Sequence, residues 1–221
     1  MLITVHYAQS LDGRIATRTG DSQWIGGQES LKLAHRLRGT HDAVLVGVGT
    51  VVTDNPRLTT RLVKAPSPRR VVIDSRLRMP VDAHVLSDDA ASTIVVTTIE
   101  AQEARRRAIA ATGAELLVAA LDPAGRVDLV DAVRLLAQRG IGSLLVEGGA
   151  AIITSVLKAG LCDRLIVCVA PRLIGQGIEA VGDLGIERLR DALSFSRSSF
   201  AACGDDVIFD GEVASAAALA G

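Results

Sequence analysis

Short runs of Val, Ile and Leu recur along the chain, and between them lie stretches in which apolar residues return every three or four positions. The runs at 2–7, 43–46, 70–73, 93–97, 115–118, 143–146 and 164–170 have the length and composition of strands. The stretches at 29–38, 101–111, 129–139 and 150–159 have the period of amphipathic helices. Alternation of the two predicts an α/β fold. Strands as uniformly apolar as Val44-Leu45-Val46 and Leu144-Leu145-Val146 suit a mostly parallel sheet with helices on both faces. No periodic helix separates 163–170 from 206–210, so an antiparallel C-terminal edge is expected and the sheet is mixed. The segment 64–68, with Pro66 and Pro68, is too short for an interdomain linker. A single domain over 1–221 is expected, with 213–221 as a frayed Ala-rich tail.

Composition narrows the functional classes. At 221 residues and 48% hydrophobic, the chain can bury a sizeable core. Lys plus Arg number 24 and Asp plus Glu 25, a net charge of −1, so no broad basic field attracts a nucleic-acid backbone or an anionic membrane. Aromatic residues are 2% of the chain, too few for a base-stacking platform. No apolar run approaches the roughly 18 residues of a membrane helix, and the start lacks the pattern of a signal peptide. A cytoplasmic protein is expected. Cys162, Cys168 and Cys203 include no C-x-x-C pair and are an odd number, which predicts reduced thiols filling the core and no metal site.

The strongest signal for a phosphate ligand is the strand 143–146 followed by Glu147-Gly148-Gly149 and directly by a helix from Ala150. Paired glycines permit close approach to the backbone, and a helix N-terminus offers free N–H groups and a positive dipole end. A bare strand-to-helix turn is the competing reading. Gly47-Val48-Gly49 also follows a strand, but Val52 stands where G-x-G-x-x-G needs its third glycine, so a tight turn with Thr50 as hydroxyl donor is expected. Asp54 precedes Asn55-Pro56 and reads as a turn residue or a ligand contact. Trp24 lies in a polar, Gly-rich loop. Arg38 ends a helix and Arg61 follows the Pro56 turn; each is a possible phosphate fork or a solvated arginine. After the strand 70–73, Ser75 and Arg76 place a hydroxyl beside a guanidinium, a pair suited to a 2′-phosphate. The zinc-deaminase ligand pattern, the G-x-S-x-G elbow and the Walker loop are all missing from the sequence.

Taken in order, Ser10-Leu11-Asp12-Gly13-Arg14-Ile15-Ala16, Gly20-Asp21-Ser22-Gln23-Trp24-Ile25, Thr50-Val51-Val52-Thr53-Asp54-Asn55-Pro56, Val72-Ile73-Asp74-Ser75, Val146-Glu147-Gly148-Gly149 and Ala170-Pro171-Arg172-Leu173-Ile174-Gly175 resemble the riboflavin-biosynthesis pyrimidine reductases. The match runs from about residue 2 to 211. The resemblance implies a dihydrofolate-reductase-like fold that binds NADPH and reduces the ribosyl group of a phosphorylated ribosylaminopyrimidine to ribityl. By motif, Ala8, Trp24, Thr50, Asp54 and Ser75 fall at cofactor positions, with Gly149, Ala150, Ala151 and Ile152 around the diphosphate. Ser22, Arg38, Leu58, Arg61 and Glu147 fall at substrate positions. Arg14 stands where some members carry Lys. Asp54 is the expected proton donor to a ring oxygen and Glu147 the expected grip on sugar or base. The resemblance further implies a homodimer, and the apolar segment 165–170 is the expected sheet edge for it. The chain is expected to be the reductase alone, without the deaminase that bacterial bifunctional members carry. A pteridine-type reductase of the same fold, or a nucleotide-binding regulator without turnover, are the alternatives.

Overall fold

The computed structural model describes residues 1–214. In chain order the elements are β1 (Leu2–Ser10), β2 (Arg14–Thr17), α1 (Gln28–Thr40), β3 (Ala43–Gly47), α2 (Val48–Asp54), β4 (Arg69–Ile73), α3 (His84–Ser87), β5 (Thr93–Thr97), α4 (Glu103–Ala110), β6 (Glu115–Val118), α5 (Leu129–Gln138), β7 (Ser143–Val146), α6 (Ala150–Lys158), β8 (Arg164–Ala170), β9 (Gly177–Glu179), β10 (Phe195–Cys203) and β11 (Asp206–Val213). They form two compact units, one of His35–Gly149 with Met1, the other of Leu2–Ala34 with the chain from Ala150 on. The second unit is discontinuous in sequence, which is why no change of composition marks a boundary.

The unit around His35–Gly149 holds five parallel strands in the order β7-β3-β4-β5-β6. Val44, Leu45 and Val46 of β3, Val71 and Val72 of β4, Ile94, Val95 and Val96 of β5, and Leu144, Leu145 and Val146 of β7 are all buried. Burial of consecutive residues means that both faces are covered, as expected of parallel strands. One core position breaks the apolar rule. Arg70 is fully buried, and its guanidinium donates to the carbonyls of Arg57 (2.9 Å), Val85 (3.2 Å), Asp88 (2.8 Å) and Ala91 (3.0 Å). A buried cation needs such partners; Nη2 makes no hydrogen bond among the described residues and has only the Asp88 carboxylate at 3.6 Å. Here it pins the start of the loop that runs from Asn55 to Leu62.

In the other unit the order is β10-β11-β8-β1, with β1 and β8 parallel and the remaining pairs antiparallel. Val5, Ile153, Val156, Ile166, Val167 and Cys168 form its core. Residues 165–170 are therefore not a sheet edge: β8 lies between β1 and β11, because 206–213 supply a longer antiparallel strand than the 206–210 expected. The antiparallel edge is instead β10, whose Ser-rich and Ala-rich sequence carries no strand periodicity. β2 and β9, too short to show a pattern, form a separate two-stranded sheet that Arg14 holds together by bonds to the Gly175 carbonyl (2.9 Å) and Glu179 (2.7 Å). Gly47-Val48-Gly49 is not a tight turn, since Val48 opens α2. Cys162 and Cys168 are buried free thiols and Cys203 is a half-buried one. Val213 ends β11; 215–221 of the expected tail lie outside the described residues.

Candidate functional site

Parallel strands bring their carboxyl ends to one edge, where open α/β sheets bind ligands. In the His35–Gly149 unit this edge collects Thr50 after β3, Ser75 and Arg76 after β4, Thr97 and Thr98 at the end of β5, and Glu147-Gly148-Gly149 after β7. The two glycines have different causes. A Cβ on Gly148 would stand 2.6 Å from the Val46 Cα and 2.7 Å from the Val46 Cβ, so this residue is small because the chain passes hard against β3. Gly149 has φ +43°, in the left-handed region, and lies beside the Thr50 hydroxyl. Gly49, by contrast, is exposed, and a Cβ there would meet nothing within 4 Å. The open backbone at this edge is thus at Gly49, and Thr50 and Gly149 flank it.

The Ser75 hydroxyl accepts the Val127 amide (3.0 Å), while its carbonyl accepts the hydroxyls of Thr97 (3.1 Å) and Thr98 (2.9 Å). The Ser75 proton remains available to a ligand, and Arg76 beside it is exposed. Arg76, Leu77, Arg78, Glu100, Gln102 and Arg105 line a surface cavity of about 580 Å³. Asp54 closes α2 on the exposed side. Desolvation raises the pKa of its carboxyl from the ordinary value.

Arg38 and Glu147, 109 residues apart, form a nearly buried ion pair, their side chains 12% and 10% exposed. Arg38 Nε donates to both carboxylate oxygens (2.9 and 3.1 Å) and Nη2 to Oε2 (2.6 Å), while Nη1 reaches the Thr59 carbonyl (3.2 Å). Burial alone depresses the Arg38 pKa, but the charge and hydrogen bonds of Glu147 outweigh it and raise it. Arg61 is exposed and donates to the Thr59 hydroxyl (2.8 Å). Among the described residues its guanidinium has no carboxylate within ion-pair distance, while Arg57 and Arg70 share Asp88. Desolvation first, then the cations of Arg38 and Arg57, lower the Arg61 pKa against the pull of the Asp88 carboxylate. An exposed guanidinium without a carboxylate at ion-pair distance is suited to receive an anion. Leu58 has φ +53° and is 2% exposed, so its side chain belongs to the core and is not open to a ligand.

His35 went unnoticed in the sequence because its partner lies 26 residues away. It is 1% exposed, and its Nδ1 accepts the amides of Arg61 (2.8 Å) and Leu62 (3.4 Å). Burial first, then the cations of Arg38 and Arg61, push its pKa down to about 4 against the pull of Glu147. A histidine kept neutral in the fold and free to protonate when unfolded lowers stability as pH falls from 6.5 through about 4, and contributes nothing above that window. The loss is expected to reach at most about 3 kcal/mol. Urea midpoints measured across this range should fall in the wild type, and His35→Asn should flatten that limb.

In the other unit, Ala8 is half-buried on β1 near Gly26, Ser22 is half-buried, and Trp24 is 63% exposed. Ala150, Ala151 and Ile152 form the first turn of α6.

Solved structures place this architecture in a class. A dihydrofolate reductase from Enterococcus faecalis, 14% identical, shares the fold with a TM-score of 0.52 over 97% of both chains. RibD from Acinetobacter baumannii is similar with a TM-score of 0.81 and 26% identity, over 97% of this chain and 58% of that one. The Saccharomyces riboflavin biosynthesis reductase Rib7 gives 0.74 and 26%, over 96% of this chain and 90% of that one. The fold is dihydrofolate-reductase-like. More narrowly, the chain belongs to the RibD C-terminal domain family, whose model matches residues 1–209. RibD of Aquifex aeolicus is 39% identical over 93% of this chain and 56% of its own length. The chain thus spans about half of that relative. The 2,5-diamino-6-ribosylamino-4(3H)-pyrimidinone 5′-phosphate reductase of Methanothermobacter thermautotrophicus is 38% identical over 94% of this chain and 96% of its own.

Proposed function

We propose that this chain catalyses the NADPH-dependent reduction of the ribosyl group of a phosphorylated ribosylaminopyrimidine to ribityl. The observation that carries the reading is the Arg61 guanidinium, which lacks a carboxylate among the described residues, next to the Arg38–Glu147 pair. A phosphate supplies the missing negative charge at Arg61, and Glu147, oriented by Arg38, accepts from sugar hydroxyls or base amino groups. A pteridine would meet Arg61 with a carboxylate instead of a phosphate, and the relative named as a 5′-phosphate reductase favours the phosphate. The relatives' names favour the same substrate class.

The carboxyl edge suits a dinucleotide: Gly49 is open to close approach, and Thr50 and Gly149 stand beside it. When bound, NADPH supplies the hydride that C1′ of the ring-opened substrate takes up. The protein orients the substrate and moves protons. Asp54, its carboxyl raised, donates the proton that frees the ring oxygen, and Glu147 holds the sugar in line. The test is to follow NADPH consumption with the diaminopyrimidinone phosphate, the aminouracil phosphate and dihydrofolate. Turnover of either pyrimidine supports the reading, and turnover of dihydrofolate alone, or of none, overturns it.

NADPH is expected to bind better than NADH by about ten- to a hundredfold, the worth of one charge-assisted contact at Ser75 and Arg76. Titration of both cofactors checks this, and equal affinities would remove the assignment. The working form is proposed to be a homodimer joined along β10. Among the described residues that strand leaves one side unpaired, and it is exposed from Ser196 to Ala202. The chain's three Phe residues gather on its hairpin: Phe195 and Phe200 pack 4.8 and 5.2 Å from Phe209, and Phe200 is 73% exposed. An exposed strand with unpaired backbone groups and an exposed aromatic is a template for a second copy. Sedimentation at micromolar concentration should give a dimer, and Phe200→Asp should shift it to monomer. The free cysteines suit a reducing cytoplasm.

A further inference from the structure

We infer that His35 is a positioning residue for anion binding: as a neutral imidazole carrying its proton on Nε2, it accepts the Arg61 amide at Nδ1 and fixes the segment that presents the Arg61 guanidinium. The inference rests on the reading of Arg61 as the ligand of the substrate phosphate.

The geometry is that of a grip by one helix face. His35 and Arg38, three residues apart on α1, lie on the same side of the helix. Arg38 takes the segment at the Thr59 carbonyl (3.2 Å) and His35 takes it at the Arg61 amide (2.8 Å), two residues later. Between these points the Thr60 hydroxyl donates to the Ala65 carbonyl (2.7 Å) and the Arg61 guanidinium folds back to the Thr59 hydroxyl. Arg70 holds the same loop further upstream at the Arg57 carbonyl. An exposed arginine on a loop ordinarily loses much of its affinity to the entropy of ordering it, and a main chain fixed on both sides of Thr60 removes part of that cost.

Nδ1 faces two amide donors, so the tautomer is dictated by geometry. A proton on Nδ1 sets N–H against N–H and breaks the bond to Arg61. The charged groups around the ring agree. Arg38 on α1 and Arg61 on the loop oppose a second cation, and Glu147 after β7, which alone favours one, is already held by Arg38. Substrate phosphate at Arg61 adds negative charge, and the hydrogen bond from the Arg61 amide lets the loop remain in place before that charge arrives.

The experiment has two arms on the full chain. In the first, 15N-histidine spectra of the wild type report the His35 tautomer; a neutral Nε2–H form at pH 6 supports the inference, and an Nδ1–H form or an imidazolium overturns it. In the second, calorimetry measures ribose 5-phosphate and NADPH binding to the wild type, His35→Asn and His35→Leu. Asn places its Oδ1 near the position of Nδ1 and keeps the acceptor, whereas Leu removes it. His35→Leu is expected to weaken ribose 5-phosphate about five- to tenfold, the effect of one net hydrogen bond, with NADPH within about twofold and the loss in turnover confined to KM. His35→Asn should restore most of the affinity. Unchanged ribose 5-phosphate binding in His35→Leu, or equal losses for both ligands, overturns the positioning role. A wild type that binds no ribose 5-phosphate overturns the reading of Arg61 itself, and with it the purpose assigned to His35. Should His35→Leu fail to fold, the wild-type tautomer decides.

Discussion

Glu147→Gln is expected to lower kcat/KM for the phosphorylated pyrimidine about five- to hundredfold while leaving the NADPH Kd within about twofold. Glutamine has one acceptor oxygen and no charge, whereas Glu147 meets Arg38 through three short contacts. The substitution therefore acts twice: a weaker acceptor faces the substrate, and Arg38 becomes an uncompensated cation with little access to water. Removing one partner of a buried pair outright costs about 3–5 kcal/mol, and the amide recovers part of this by hydrogen bonding. Arg38→Met leaves the converse defect, a carboxylate that has lost its arginine. In a double-mutant cycle the combined variant should be more stable than the sum of the single losses implies, because neither charge is then stranded. A Glu147→Gln enzyme with lowered stability but intact kcat/KM would show that the pair is structural only. One that loses NADPH affinity instead would place Glu147 at the cofactor.

Gly148→Ala should destabilise the fold by about 1–3 kcal/mol or more, since its methyl group would stand 2.6 Å from the Val46 Cα and 3.0 Å from the Gly47 amide nitrogen. Neither neighbour can turn away, because both are main-chain atoms of buried β3. Only a shift of the whole 147–149 turn relieves the contact, and that shift displaces Glu147 from Arg38, so kcat/KM should fall with stability. Gly49→Ala is the control with the opposite expectation. Its methyl group meets open space within a helix, where Ala is preferred by up to about 1 kcal/mol, so the melting temperature should hold or rise. If a ligand approaches the backbone at Gly49, the NADPH Kd nevertheless increases. A stable Gly49→Ala with unchanged cofactor affinity would move the close approach elsewhere along the edge.

Much of the fold was legible because its signals are local. The β3, β5 and β7 runs appeared as near-continuous apolar segments, since a strand buried on both faces has room for few polar residues. The ranges of α1, α5 and α6 followed from amphipathic period within a few residues at each end. Elements without such a period escaped. Val48–Asp54 hides its helix behind two glycines, and β10 pairs as an edge strand through backbone bonds that its Ser and Ala side chains do not advertise.

The sequence by itself determined the α/β class, the position of Glu147-Gly148-Gly149 between a strand and a helix, and the set of polar residues from which a site is drawn, because each depends on neighbours within a few positions. Only the tertiary structure decided which of those residues meet. That Arg38 holds Glu147, that Arg61 is left without a carboxylate among the described residues, that His35 grips the Arg61 amide and that Gly148 is small because of Val46 are all contacts across 26 to about a hundred residues. Periodicity cannot carry such information: it reports which face of an element is buried, whereas a pairing depends on the order and register of strands, which are set by packing of the whole core.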